Sequence, residues 1–135
     1  MRFPVITIGI TLVMLGAATM APAADLKDKV SVKIESVGLH PDMPPGMYVC
    51  AGGHLHIKGV VQNLTGVELG KITVAGKAYD PDGKLLGTAT ASTKEAALLP
   101  EATAPINLEF LTVTGPLIQR ATRHDLSVVE AHRKR

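Results

Sequence analysis

The chain has 135 residues, with 14 Lys+Arg against 12 Asp+Glu and a formal charge of +2. That length allows one domain, and so small an excess of positive charge excludes the electrostatic footprint of a nucleic-acid binder. Phe3, Tyr48, Tyr79 and Phe110 are the aromatic residues and Cys50 is the single cysteine, which excludes a base-stacking platform and an intramolecular disulfide framework.

The first segment reads as an address. Met1-Arg2 is a short basic start, residues 5–20 are apolar with only Gly and Thr as interruptions, and Ala21-Pro22-Ala23 ends the run. This is the pattern of a bacterial signal peptide with an A-x-A exit, so the mature chain is expected to begin at Ala24 and to reside in the periplasm or outside the cell. The run is shorter than the ~20 residues of a membrane span, which disfavours an uncleaved anchor, and no transmembrane segment is expected after cleavage. A single domain is then expected over residues 24–131. A basic tail, residues 132–135, holds Arg133, Lys134 and Arg135, either as a solubilising end or as a contact for an acidic partner.

Alternation of period two dominates the rest. Val30, Val32 and Ile34 face one way and Ser31, Lys33 and Glu35 the other, the pattern of a half-buried strand. Leu55, Ile57 and Val61 alternate with His54, His56, Lys58 and Gln62, and Ile72, Val74, Gly76 and Ala78 with Thr73, Ala75, Lys77 and Tyr79. A weaker strand is expected over 85–93. Another has Ile106, Leu108 and Phe110 on one face and Asn107 and Glu109 on the other, and a last one lies over 126–129. Residues 94–98 are Ala-rich and read as a short helical piece, and Gly115-Pro116 as a break.

Turn chemistry supports antiparallel hairpins. In Asp80-Pro81-Asp82-Gly83, Pro presets the first turn dihedral, Asp bonds its own backbone and Gly takes a positive φ. Calcium needs further acidic ligands downstream, and they are missing. Asn63-Leu64-Thr65-Gly66 matches a glycosylation sequon but reads as a turn. Short strands with turns every ~8–12 residues imply an all-β, immunoglobulin-like antiparallel sandwich of about six or seven strands.

Residues 54–131 resemble a bacterial FxLYD-type domain. The residues that carry the resemblance are Gly59-Val60-Val61-Gln62-Asn63-Leu64-Thr65, Ile72-Thr73-Val74, Ala78-Tyr79-Asp80-Pro81-Asp82-Gly83-Lys84, Leu99-Pro100-Glu101 and Ile106-Asn107-Leu108-Glu109-Phe110. The sequence departs from that family at Gly76 and Ala78, where Phe and Leu are usual, and at Glu101, where Gly is usual. The resemblance implies an immunoglobulin-like sandwich with a thinner core at residues 76–78, and no catalytic residues.

One stretch carries soft donors. Residues 39–53 read as a Pro/Gly/Met-rich loop leading into the His54 strand, and His40, Met43, Met47, Cys50, His54 and His56 fall within 17 positions. Thioether, thiolate and imidazole together suit Cu(I) better than Ca²⁺ or Mg²⁺, and zinc is a further candidate. His54 and His56 share a strand face about 7 Å apart. Gly52-Gly53 can turn Cys50 back over that face, with Met43 and Met47 above. The alternative is bland: histidines on a wet face, methionines filling gaps and a buried thiol. An unpaired cysteine in an oxidising compartment also admits an intermolecular disulfide. His124-Asp125-Leu126-Ser127 has triad residue types, but His124 and Asp125 face opposite ways on one strand, so no triad forms. The first expectation is therefore a non-catalytic binding or accessory module with a protein partner and no cofactor. The second is a copper-type metal-handling protein using those six residues.

Overall fold

The computed structural model describes residues 25–36 and 43–135. The expected signal segment, Ala24 and His40 lie outside the described residues. No helix among the described residues is long and apolar enough to cross a membrane.

Among the described residues, seven strands form two antiparallel sheets, an all-β sandwich. They are β1 (Val30–Ile34), β2 (Met47–Val49), β3 (His54–Asn63), β4 (Thr73–Tyr79), β5 (Leu85–Ser92), β6 (Thr103–Thr114) and β7 (Arg123–Glu130). In the first sheet β3 is central. It pairs with β6 on one side and with both β1 and β2 on the other. The second sheet has the order β5-β4-β7.

Burial along β3 alternates strictly: Leu55, Ile57, Gly59, Val61 and Asn63 point inward, and His54, His56, Lys58, Val60 and Gln62 outward. In β6, Ala104, Ile106, Leu108 and Phe110 point inward. The alternation slips at Leu111 and Thr112, both exposed, beside a register shift between His54 and Leu55 of the partner strand. Such a bulge re-aims the side chains at a sheet end. Val74, Gly76 and Ala78 of β4 close the core from the other side.

β1 and β2 are two pieces of one edge strand. Ile34 lies opposite Gly59 and Met47 opposite Ile57. Between them, Lys58 serves both pieces. Its carbonyl accepts from the Glu35 N–H at 3.0 Å, and its own N–H donates to the Gly46 carbonyl at 2.8 Å. The chain leaves the ladder after Glu35 and re-enters at Gly46. A side chain cannot stand at this re-entry. Gly46 has φ +79°, and an added Cβ would lie 2.5 Å from Ile34 Cγ2.

The turns follow their chemistry. Gly83 adopts φ +82°, and the buried Asp80 carboxylate accepts the Asp82 and Lys84 N–H groups at 2.9 and 2.8 Å. Asn63 is fully buried. Its amide donates to the Val67 and Leu98 carbonyls and accepts from the Thr65 N–H and hydroxyl. The sequon asparagine is thus the internal brace of a turn.

Two expectations are corrected and one is extended. Residues 94–96 form bends and Leu98 an isolated bridge rather than a helical piece, because Leu98 exchanges both backbone hydrogen bonds with Leu69 at 2.8 and 2.9 Å. The break at Gly115-Pro116 ends β6 as expected and also opens a short helix, α1 (Pro116–Arg120), with Pro at its start. The core is also filled at Gly76, where Leu108, Phe110 and Leu126 all reach the space that a Cβ would occupy.

Candidate metal centre

The site grows out of the β2–β3 hairpin. Residues 50–53 make its turn: the Gly53 N–H donates to the Cys50 carbonyl at 2.9 Å, with Gly53 at φ +82°. The Cys50 N–H then donates to the His54 carbonyl at 3.1 Å, so Cys50 stands opposite His54. Tyr48 stands opposite His56, and on the far side of β3 His56 stands opposite Glu109 and Lys58 opposite Asn107. Since strand residues two apart share a face, Tyr48, Cys50, His54, His56, Asn107 and Glu109 all rise from the outer face of one sheet.

There the donors converge. Cys50 Sγ lies 3.8 Å from His54 Nδ1, and His54 Nδ1 lies 3.1 Å from Glu109 Oε1. His56 Nε2 lies 3.9 Å from the same Glu109 oxygen. Ligand atoms of Cys50, His56 and Glu109 all lie within 4.8 Å of one another.

The orientation of His56 is set from behind. Asn107 Nδ2 donates to the Tyr48 hydroxyl at 2.7 Å. Asn107 Oδ1, 2.8 Å from His56 Nδ1, is then the acceptor, and His56 Nδ1 carries the proton. The lone pair therefore sits on Nε2. Nε2 is buried and has no hydrogen-bond partner, and the His56 side chain is only 12% exposed. Tyr48 stacks on the imidazole, centroid to centroid 4.8 Å, and the Lys58 ammonium stands 5.4 Å from the Tyr48 ring centroid. Buried polar atoms normally find partners. An orphaned lone pair facing a thiol and a carboxylate is the arrangement a metal ion would satisfy.

A thiol, an imidazole and a carboxylate in one row also resemble a nucleophile, base and orienter. Around His54 the geometry does not fit that role. A triad uses one ring nitrogen toward the nucleophile and the other toward the acid, whereas here Cys50 and Glu109 both meet His54 at Nδ1.

Not all six residues read from the sequence gather here. Cys50, His54 and His56 do. Met47 does not: it lies in β2 opposite Ile57 with its side chain fully buried in the core, one residue out of phase with Tyr48. Met43 is half-buried against the core and lines an apolar cleft of about 490 Å³ with Pro44, Val49, Ile118 and Ala121. Glu109, Asn107 and Tyr48 were missed. The alternation of Ile106, Leu108 and Phe110 already put Asn107 and Glu109 on a wet face, but only the β3–β6 register brings them to His56.

No family model, curated protein or solved structure matches the chain.

Proposed function

We propose that the protein is a non-catalytic, exported β-sandwich that binds a transition-metal ion on the outer face of its four-stranded sheet. The observation that carries this reading is the buried, unpartnered Nε2 of His56, held toward the Cys50 thiol and the Glu109 carboxylate. Metal-ligating histidines typically donate their second ring N–H to an oxygen acceptor that fixes tautomer and orientation, and Asn107 stands in that place. The seven-strand sandwich and the Asp80–Gly83 turn support kinship with FxLYD-type domains as part of the same proposal. A module for a protein partner has less to recommend it. The exposed large apolar residues Val49, Leu85, Leu111, Leu117 and Val129 come from five different elements, and Leu64 and Leu99 from two loops, and scattered exposed apolar residues are ordinary. A metal-bound thiolate is also not free to form an intermolecular disulfide, so the two roles of Cys50 exclude each other.

The test is elemental analysis of the purified protein after exposure to Zn²⁺, Co²⁺, Ni²⁺ and Cu(I), followed by desalting. One retained ion per chain in the native protein, and none in Cys50→Ser/His56→Ala, is the expected result. Equal retention by both proteins, or none by either, overturns the proposal.

A further inference from the structure

We infer that the centre is a four-coordinate site for a borderline divalent ion of the zinc class, and that Glu109 is the residue that selects it. This inference rests on the metal-binding reading above and goes further by naming the ion and the source of its selectivity.

The soft character of the cluster, as read from the sequence, came from thioether, thiolate and imidazole together. With Met47 in the core and Met43 lining an apolar cleft, no thioether remains among the converging donors. A carboxylate oxygen takes its place. The set becomes Cys50 Sγ, His56 Nε2 and Glu109 Oε1, with His54 Nδ1 touching two of the three. Thiolate, imidazole and carboxylate together are all accepted by Zn²⁺. Cu(I) favours thiolate and thioether and gains little from a carboxylate, while Ca²⁺ and Mg²⁺ require oxygen ligands throughout.

Charge and spacing agree. A thiolate and a carboxylate together neutralise a divalent ion, whereas a monovalent ion would leave an uncompensated negative charge on a half-buried face. Ligands at ~2.0–2.3 Å from a tetrahedral ion stand roughly 3.3–3.6 Å from one another. The separations here are 3.8 Å for Cys50–His54, 3.1 Å for His54–Glu109 and 3.9 Å for His56–Glu109. These span the edge of such a tetrahedron within the reach of small side-chain adjustments. His54 stands outside the group whose ligand atoms all lie within 4.8 Å of one another, and with a side chain 29% exposed it would swing in as the fourth vertex. Asn107 and Tyr48 act through His56 as positioning residues.

The experiment uses Co²⁺ as a visible substitute for Zn²⁺, with the purified protein. Titration should give the intense visible absorption of a tetrahedral ion and a near-ultraviolet thiolate-to-metal band, both lost on adding stoichiometric Zn²⁺. Glu109→Gln should weaken Zn²⁺ and Co²⁺ binding by at least about tenfold while leaving Cu(I) affinity unchanged. Asn107→Leu should weaken Zn²⁺ by ~10–100-fold. Asn107→Asp, which keeps an acceptor toward His56 Nδ1, should restore most of it. Met43→Ala should change nothing. Unchanged melting of each metal-free variant shows that the losses are not losses of folding. Suppose Cu(I) binds through Cys50 but Co²⁺ gives only a weak octahedral spectrum, or Glu109→Gln leaves Zn²⁺ affinity intact. The zinc-class inference then falls while metal binding stands. If no ion binds at all, both fall.

Discussion

The Cζ atom of Phe110 lies 3.1 Å from the place where a Cβ on Gly76 would stand. Phe110 belongs to β6 of one sheet and Gly76 to β4 of the other, so the ring reaches across the sandwich to fill the space the glycine leaves. Leu108 and Leu126 crowd the same point at 2.8 and 3.0 Å. Added volume has no room there, and overpacking a core costs about 1–3 kcal/mol. Gly76→Ala should therefore lower stability by about that much. Combined with Phe110→Leu, which shortens the opposing side chain, the loss should be less than the sum of the single losses, with a coupling of about 0.5–3 kcal/mol. Urea unfolding of the four proteins measures this cycle. Strict additivity would show that the ring and the glycine do not share one space.

Glu101 is the non-glycine residue with a positive φ among the described residues, at +67°. It is pinned there because its N–H donates to the Asn63 carbonyl at 2.8 Å and its carbonyl accepts from Gln62 Nε2 at 3.2 Å. A side chain in this region costs of order 1 kcal/mol, and glycine has no such penalty. Its carboxylate accepts no hydrogen bond among the described residues. Glu101→Gly should raise stability by about 0.5 kcal/mol, after allowing for the greater freedom of glycine in the unfolded chain. A higher melting temperature is expected. A lower one would mean that Glu101 contributes through a contact that outweighs the backbone strain.

Two groups set different parts of the acid response. The Lys84 backbone N–H, with smaller help from Arg120 and the Asp82 N–H, holds the Asp80 carboxyl below its ordinary value. A depressed carboxyl contributes stability that is present above the unfolded value of about 3.9 and lost as pH falls through the folded value. Burial pushes the His124 imidazole down, with Asp125 opposing. The unfolded chain then takes up that proton first, and stability begins to fall as pH drops below about 6.5. Asp80→Asn keeps an oxygen for the two turn N–H groups and should flatten the profile only below about pH 4. His124→Gln should flatten it between about pH 6.5 and the lowered folded value. Chemical denaturation at stepped pH reads both windows, and a His124→Gln profile that parallels the native one near pH 6 would refute the second assignment.

Long alternating strands were legible because one face of each is buried, and a two-residue period can be read without knowing the partner. β2 was not legible. It is three residues long within a Pro- and Gly-rich stretch, and it forms where Lys58 carries the ladder on from β1 and the Cys50 N–H closes it on His54. The error about Met47 follows directly. Read as part of a loop, it was free to join the cysteine, whereas strand parity with Tyr48 sends it into the core. Residues 94–98 look helical by composition, yet pairing of Leu98 with Leu69 decides their conformation, a tertiary contact overriding weak local preference. At the site, Cys50, His54 and His56 were legible because a tight turn joins them in sequence. Glu109 is 53 residues beyond His56, and nothing local specifies that the two stand opposite each other.

Asn63 gives the last prediction, since it must both donate and accept. Its Nδ2 donates to Val67 and Leu98 carbonyls at 2.7 and 3.1 Å, while Oδ1 accepts from the Thr65 N–H at 3.0 Å and from the Thr65 hydroxyl at 2.6 Å. A carboxylate has the same shape and only accepts. In Asn63→Asp, two carbonyls would face a fully buried charge, and an uncompensated buried charge costs about 3–5 kcal/mol. The variant should therefore be strongly destabilised at neutral pH. Burial would hold the new carboxyl above its ordinary range, so the folded state takes up its proton before the unfolded state does. The deficit relative to the native chain should accordingly shrink as pH falls through that raised value, because the protonated acid regains one donor. Native and variant proteins unfolded in urea at neutral and mildly acidic pH give the comparison. A deficit that stays constant between the two would show that the lost donor geometry, and not the buried charge, is what destabilises the turn.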